Sequence, residues 1–529
     1  MPEHDFKDPR ELTREAMETT RKLLKKAAFR RTLPIVGFML LQIGIILLTF
    51  RFLGQRAPLL LSLMSLGSWV VVIIIFNQDI NPAFKLSWTL LISLLPVGGS
   101  FMYLFITNNP GTTNLRKHTA RVIGETEGLL HPEPLLMDTI RTQAPDVWNI
   151  TNYLTRYGGG PAYYGSHVEF YPFGEDFWPR LLEELEKAEH FIFLEYFILA
   201  EGLMWDSVLE VLERKAREGV EVRLLYDGMG CLLKLPNKYY EELRRRGIQA
   251  QVFNPLKPML STIANFRDHR KIAVVDGKVA FTGGINLADE YINEIAPYGR
   301  WKDTAARVTG PAVDSFTLFF LQQWNVAAGS SEEYALYLNR TRPDPAAPGF
   351  LIPYCDSPVD AERVGKNVYL DILHRARNYV HIMTPYLIIT NEMEEALIQA
   401  AKSGVDVKLI LPHIPDKWYA FALARSYYKS LLSAGVKIYE YTPGFVHAKI
   451  FVADDSTAVV STINLDFRSL YHHFECGVYL HQTEAIAAIE RDYQKTLEDC
   501  QPVTLESLRS VNKLQLLLGR LLRIISPIL

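Results

Sequence analysis

Apolar and polar positions divide the 529-residue chain into regions of different character. Residues 1–32 are polar and charged and end in a basic run, Arg21, Lys22, Lys25, Lys26, Arg30 and Arg31. Three uncharged stretches follow, 33–50, 59–76 and 86–106, separated by Arg51, Arg56, Asp79 and Lys85. A membrane helix needs about 20 mostly apolar residues, with about 17 as the lower limit. Residues 33–106 are therefore expected to form two or three spans. The late start of the first stretch and the presence of two more argue against a cleaved signal peptide. The basic run places the N-terminus in the cytoplasm by the positive-inside rule. Three full spans would put the rest of the chain on the far side. The third stretch, however, carries Pro96, Gly98 and Gly99, with Arg116, Lys117 and Arg121 after it. A kinked or re-entrant third segment would return the chain to the cytoplasmic face. Both orientations stand at this stage.

Residues 107–170 are rich in Gly, Pro and Asn and read as a connecting segment with one helical candidate, 113–127. Its Gly158-Gly159-Gly160 cluster lacks the strand-to-helix context of a phosphate cradle and reads as a flexible loop. From Gly174 the apolar period alternates between helix and strand: helix 176–189, strand 190–199, helix 204–218, strand 220–227. The order returns as strand 378–389, helix 391–402 and strand 405–412. The segment Lys215 to Val222 is visibly matched by Ala401 to Val407. This alternation predicts an α/β fold, a sheet covered by helices, present twice. Pro343, Pro345, Pro348 and Gly349 mark 339–350 as the linker, between a first domain at 171–338 and a second at 351–505. Residues 506–529 form an amphipathic C-terminal helix with Lys513, Arg520 and Arg523 on one side, suited to lying on anionic lipid. Net charge is −3, so no global basic surface points to nucleic acid. Cys231, Cys355, Cys476 and Cys500 are scattered without CxxC spacing, which argues against a zinc site.

The chemistry is concentrated in a pattern that occurs twice. His269, Lys271 and Asp276 are followed by Gly283, Gly284 and Asn286. His447, Lys449 and Asp454 are followed by Ser461, Thr462 and Asn464, 178 residues later. On an extended strand, His and Lys two apart project from one face, and the β-branched run after them suits a buried strand. A neutral imidazole is a competent nucleophile, a lysine balances a phosphate oxygen, and an aspartate can orient a histidine. Each copy supplies half of one active site. Gly283-Gly284 permits close backbone approach. Around the motifs, Glu195, Tyr196 and Tyr386 are candidate supporting residues or ordinary strand residues. Trp301, Asp303 and Glu475 follow the motif histidines by 32, 34 and 28 residues. His472 and His473, side by side, read as packing or rim residues.

The doubled His-x-Lys-x4-Asp pattern, with a small-residue pair and Asn behind it, resembles the phospholipase D superfamily over roughly residues 110 to 500. The flanking segments are most similar to bacterial cardiolipin synthases. Ser461-Thr462 departs from the usual glycine-led pair, a change conservative in size. The resemblance implies duplicated phospholipase D-type domains, helix-covered mixed β-sheets packed as a pseudo-dimer, beside N-terminal transmembrane helices. It implies an enzyme of the cell membrane that needs no metal or other cofactor. That enzyme would transfer a phosphatidyl group from one phosphatidylglycerol to another, releasing glycerol and forming cardiolipin. His269 would be the nucleophile and His447 the acid and base. Lys271, Lys449, Asn286 and Asn464 would hold the phosphate, and Asp276 and Asp454 would orient the histidines. Gly283, Gly284, Ser461 and Glu475 would support the site, with an acidic residue such as Glu475 orienting a motif histidine. Three alternatives share the sequence: a phospholipase D in which water takes the phosphatidyl group, a membrane-tethered nuclease, and a scaffold with inert motifs.

Overall fold

The computed structural model describes residues 57–108, 110–255 and 265–528, with a few isolated positions before residue 57. Two compact units are present, one ending near Gly111 and one built from nearly all the rest. In the first unit, helices Ala57–Phe76, Pro82–Leu94 and Pro96–Thr107 pack around Val71, Val72, Ile75, Trp88, Ile92 and Tyr103. The expected third span, 86–106, is broken: Pro96 has no amide hydrogen to continue the helix, so one helix stops at Leu94 and another starts at Pro96. Gly99 lets the second fold back on the first, since a Cβ there would lie 3.0 Å from the Ile92 Cα. The first stretch, 33–50, lies almost wholly outside the described residues. Among the described residues, no helix is long and apolar enough to cross a membrane. Leu63, Leu66, Trp69, Ile73, Leu86, Leu94 and Phe101 nevertheless point outward from this unit.

The larger unit holds the duplicated α/β fold. Its first half contributes β1 His167–Tyr171, β2 Phe191–Tyr196, β3 Glu221–Asp227, β4 Gln249–Phe253, β5 Arg267–Asp268, β6 Ile272–Val275, β7 Val279–Gly283, β8 Arg300–Lys302 and β9 Ala305–Thr309. The second contributes β10 Phe350–Asp356, β11 Tyr379–Met383, β12 Leu387–Ile388, β13 Asp406–Pro412, β14 Lys437–Tyr441, β15 Gly444–Val446, β16 Ile450–Ala453, β17 Thr457–Ser461, β18 Leu465–Asp466, β19 His473–His481 and β20 Cys500–Val503. The first sheet runs β1-β9-β7-β6-β2-β3-β4, and the second runs β10-β19-β17-β16-β11-β13-β14-β20. Strand for strand, the two orders match, with β20 added at one edge. Both sheets are mixed: β2-β3-β4 and β11-β13-β14 are parallel, the other neighbours in these two orders antiparallel. The register equates Val275 with Ala453, and hence Tyr196 with Thr384.

The two halves meet through the helix Val313–Ala328, which is buried on nearly every side, its polar Asp314, Ser315, Thr317, Gln323 and Asn325 included. The connecting segment lies almost wholly in the larger unit, and beyond the helix expected at 113–127 it is not the loose connector its composition suggested. It forms helices Pro110–Thr126, Pro134–Gln143 and Pro145–Tyr157, and Ile140, Val147, Ile150 and Leu154 enter the second half's core. Gly158 and Gly160 are close-packing positions: a Cβ would meet Leu154 O at 2.7 Å and Pro353 O at 2.5 Å respectively. The C-terminal helix, Lys513–Ile525, docks one edge on the helix Trp418–Ser433. A Cβ at Gly519 would lie 2.1 Å from Ala422 O, and Arg523 reaches Glu394 and the Tyr427 ring. Leu514, Leu517, Leu521 and Ile524 stay exposed beside Lys513 and Arg520.

Candidate active site

Two short parallel strand pairs tie the halves together and build the site. β5 of the first half pairs with the start of β19 in the second, and β15 of the second pairs with β8 of the first. Each motif histidine comes directly after the short strand of its own half. Its amide donates across the joint: His269 N–H to Phe474 O at 2.9 Å, His447 N–H to Lys302 O at 2.6 Å. In each case the acceptor strand delivers a carboxylate next, Glu475 or Asp303. The outcome is a reciprocal exchange. His269 Nδ1 lies 2.9 and 3.0 Å from the two Glu475 oxygens, and His447 Nδ1 lies 2.6 Å from Asp303 Oδ2. Each half's carboxylate serves the other half's histidine.

All four of these side chains are buried. An ionised carboxylate only accepts, so Nδ1 of His269 carries the proton and Nε2 keeps a lone pair. Burial lowers the pKa of His269 to about 3 and that of His447 well below its usual value, the latter helped by Lys449 and Lys271. Both rings are therefore neutral at pH 7. Lys271 donates to His269 O at 2.5 Å, and Lys449 contacts His447 O and lies 2.8 Å from its Nδ1. Burial lowers Lys271 to about 8 and Lys449 to about 7; each lysine also senses both Asp303 and Glu475, the sign of one shared site. Burial raises Asp303 to about 6 against the pull of Lys449. One buried site thus brings together two neutral imidazoles, two lysine side chains and two carboxylates, and a phosphate oxygen bound there would favour the ammonium form of each lysine.

The small residues after each motif are explained by the carboxylates. A Cβ at Gly284 would sit 2.0 Å from Asp303 Oδ1, so only glycine lets that side chain in. Gly283 has φ +142, in the region that favours glycine. The second motif solves the same problem differently. Thr462 occupies the Gly284 position, and its hydroxyl donates to Glu475. Ser461 Oγ lies 2.7 Å from Tyr369 OH, which also donates to Ile463 O.

Several expectations need correction. Asp276 and Asp454 do not orient the histidines. Each has φ +53 and accepts three consecutive amides at the start of the neighbouring strand: Glu189, His190 and Phe191 for Asp276 (2.7–2.9 Å), Arg377, Asn378 and Tyr379 for Asp454 (2.7–2.9 Å). They are anchors, since a turn aspartate that takes amide hydrogens cannot also reach a ring at the other end of its strand. Of the two readings for His473, packing holds and rim does not: it is buried, its ring centroid 5.3 Å from that of His269, with Nδ1 3.4 Å from Glu475 Oε1. Glu195 pairs with Arg270 at 2.8 Å, inside the joint rather than on the substrate side. Asn286 accepts from Ile198 N–H at 2.9 Å and donates to Tyr291 OH at 2.7 Å. Asn464 is buried with its Oδ1 unpartnered. Asp303 and Thr462 carry weight the motif pattern alone does not assign to them. Tyr291, Trp301 and Phe445 wall His447 at ring distances of 5.6, 5.3 and 5.9 Å.

Two matched sheets sharing one site of paired histidines and lysines define a member of the phospholipase D superfamily. The family profile described as "Cardiolipin synthase, PLD-like domain" matches residues 181–295 and 369–497. A cardiolipin synthase of Geobacillus kaustophilus is 35% identical over 450 residues, covering 84% of this chain and 88% of that one. One of Alkalihalophilus pseudofirmus is 33% identical over 86% of this chain and 91% of its own. An uncharacterized protein of Streptococcus mutans is 47% identical over 87% of this chain and 99% of that one. Among solved structures, a phosphatidylserine synthase of Haemophilus influenzae matches in fold, with TM-score 0.56 and 14% identity, over 73% of this chain and all of that one. The chain belongs to the cardiolipin synthase family.

Proposed function

We propose that this protein transfers a phosphatidyl group from one phosphatidylglycerol to a second, forming cardiolipin and glycerol. The observation that carries the mechanism is the reciprocal pairing of each motif histidine with the other half's carboxylate. His269 Nε2 attacks the donor phosphorus, and the P–O bond to the glycerol headgroup breaks. His447 gives the departing glycerol oxygen a proton, which requires that it first take one up. The intermediate is a phosphatidyl-histidine, and its ring charge is matched by Glu475 at Nδ1. In the second step, neutral His447 takes the proton of an acceptor hydroxyl, whose oxygen displaces His269. Lys271 and Lys449, with the amides of Asn286 and Asn464, meet the non-bridging oxygens. The bidentate hold of Glu475 on His269 supports that ring as nucleophile; Asp303, raised to about 6, suits His447 to gaining and losing a proton.

The protein's place at the membrane belongs to the same proposal. The outward apolar side chains of the first unit and the leucines of the C-terminal helix, flanked by Lys513 and Arg520, suit contact with an anionic bilayer. The deciding experiment is product analysis from EDTA-treated protein in detergent, supplied only with phosphatidylglycerol, beside His269→Ala and His447→Ala. Cardiolipin and glycerol in equal amounts, lost in both variants, support transfer through the paired motifs. Phosphatidic acid as the product would assign the site to hydrolysis instead.

A further inference from the structure

Transfer rather than hydrolysis demands that an alcohol defeat water at the intermediate, and that requires a second site holding the alcohol in place. One group of side chains near His447 has no part in the chemistry above. Tyr386 OH donates to Asp416 Oδ2 at 2.6 Å, and Lys417 Nζ donates to Tyr386 OH at 3.2 Å, with 3.5 Å to the same carboxylate oxygen. The three stand at a shallow, open depression with an enclosed volume of only ≈ 10 Å³, whose walls include Pro385, Leu411, Phe421 and Phe445, so a ligand here would lie across the surface rather than in a cavity. Phe445 joins this depression to the reaction centre: its ring is 6.5 Å from Tyr386 and 5.9 Å from His447. Lys417 is close enough to contribute to the lowered pKa of His447. Tyr386 also packs against the first half's core, so the depression borders both halves. The Lys417 side chain is 48% exposed, leaving its ammonium open to a ligand, while Asp416 is mostly covered. Exposed Trp418 and Tyr419, 63% and 40%, continue the surface outward, as aromatic rings do where protein meets lipid headgroups.

We infer that Tyr386, Asp416 and Lys417 form the subsite for the acceptor, a polyol carrying a phosphodiester. This rests on the transferase reading above. The chemistry matches part by part. The Lys417 ammonium takes the acceptor's phosphodiester oxygen, a point-charge contact that tolerates a mobile headgroup. Asp416 and Tyr386 take a hydroxyl of its glycerol end, and the next hydroxyl is left facing His447. The cation and the carboxylate balance each other, so the subsite matches an anion and a hydroxyl a few bonds apart rather than bulk anionic surface. Water and free glycerol lack the phosphate and gain nothing from Lys417. No bond is made or broken at this subsite; it sets which hydroxyl reaches the intermediate.

The test compares two acceptors at one intermediate. Full-length protein in phosphatidylglycerol–detergent micelles is given radiolabelled glycerol. Cardiolipin then reports the acceptor with a phosphate, and label in phosphatidylglycerol reports the acceptor without one. Lys417→Ala should lower the ratio of cardiolipin to labelled phosphatidylglycerol by about tenfold, one charged contact's worth, and Lys417→Arg should restore most of it. Tyr386→Phe should lower the ratio by a smaller factor. Lys429→Ala, an exposed lysine on the same helix, should leave it unchanged. An unchanged ratio in Lys417→Ala, or a parallel loss of both products, overturns the subsite. Phosphatidic acid in place of both products from the unmodified protein overturns the transferase reading itself.

Discussion

Glu475→Gln probes the reciprocal exchange most directly. The glutamine keeps the size of the side chain and one carbonyl oxygen but removes the charge. In the resting site Glu475 receives His269 Nδ1–H at 2.9–3.0 Å and the Thr462 hydroxyl. When Nε2 bonds to phosphorus, the ring becomes cationic, and that charge forms against Glu475 in a site closed to water. A hydrogen bond to a charged group is worth about 1.5–3 kcal/mol, against about 0.5–1.5 for a neutral one. Loss of a preorganised partner to developing charge costs about 2.7–4 kcal/mol in comparable buried sites. The amide could also turn its N–H toward Nδ1, which would move the proton to Nε2 and remove the nucleophile. Both effects act in the same direction, so kcat should fall by roughly 10²–10³-fold with KM changed by less than about threefold. Glycerol release from phosphatidylglycerol micelles at pH 7 measures this, with thermal unfolding to confirm an intact fold. A folded variant with kcat within about threefold of the unmodified enzyme would refute the assignment of Glu475 to the other half's histidine.

Three further outcomes follow from the same geometry. The value of kcat/KM should rise with pH through about 6, as Asp303 ionises, and fall above about 7 to 8, as Lys449 and then Lys271 lose the protons that bind phosphate. Bound phosphodiester favours the ammonium form, so the alkaline limb of kcat should lie higher; a profile flat to pH 9 would contradict these roles. Gly284→Ala places a Cβ 2.0 Å from Asp303 Oδ1 and should displace it from His447. Its kcat should drop by roughly 10²-fold, and a variant with normal rates would show that Asp303 does not need this approach. Asp276→Asn replaces an acceptor of three amides and should cost about 1–3 kcal/mol in urea unfolding, with kcat per folded molecule within about twofold; a loss of rate without loss of stability would return Asp276 to the chemistry.

How much of this was legible in the sequence depended on how far each signal reaches along the chain. The β-branched runs after His269 and His447, and the helix-to-strand alternation, are local patterns, and they predicted the two matched sheets. The doubled motif pointed to one site made from two halves. Pro96 marked the break in the third apolar stretch, one of the two readings that stretch left open. The connecting segment was misread because its Gly and Pro content speaks of flexibility, while Ile140, Val147, Ile150 and Leu154 are fixed by a core about 200 residues further on. Tertiary structure alone decided which carboxylate serves which histidine. Those pairs are 206 and 144 residues apart, and no spacing rule spans such distances. Within one half, Asp276 has the motif position expected of an orienting acid, yet its place in a turn turns its oxygens to backbone amides. The exchange arises because each histidine follows a strand paired with the opposite half, so the nearest carboxylate in space belongs to the other copy. Sequence named the reacting groups through their local periodicity; docking of the halves, a matter of long-range packing, set their partners.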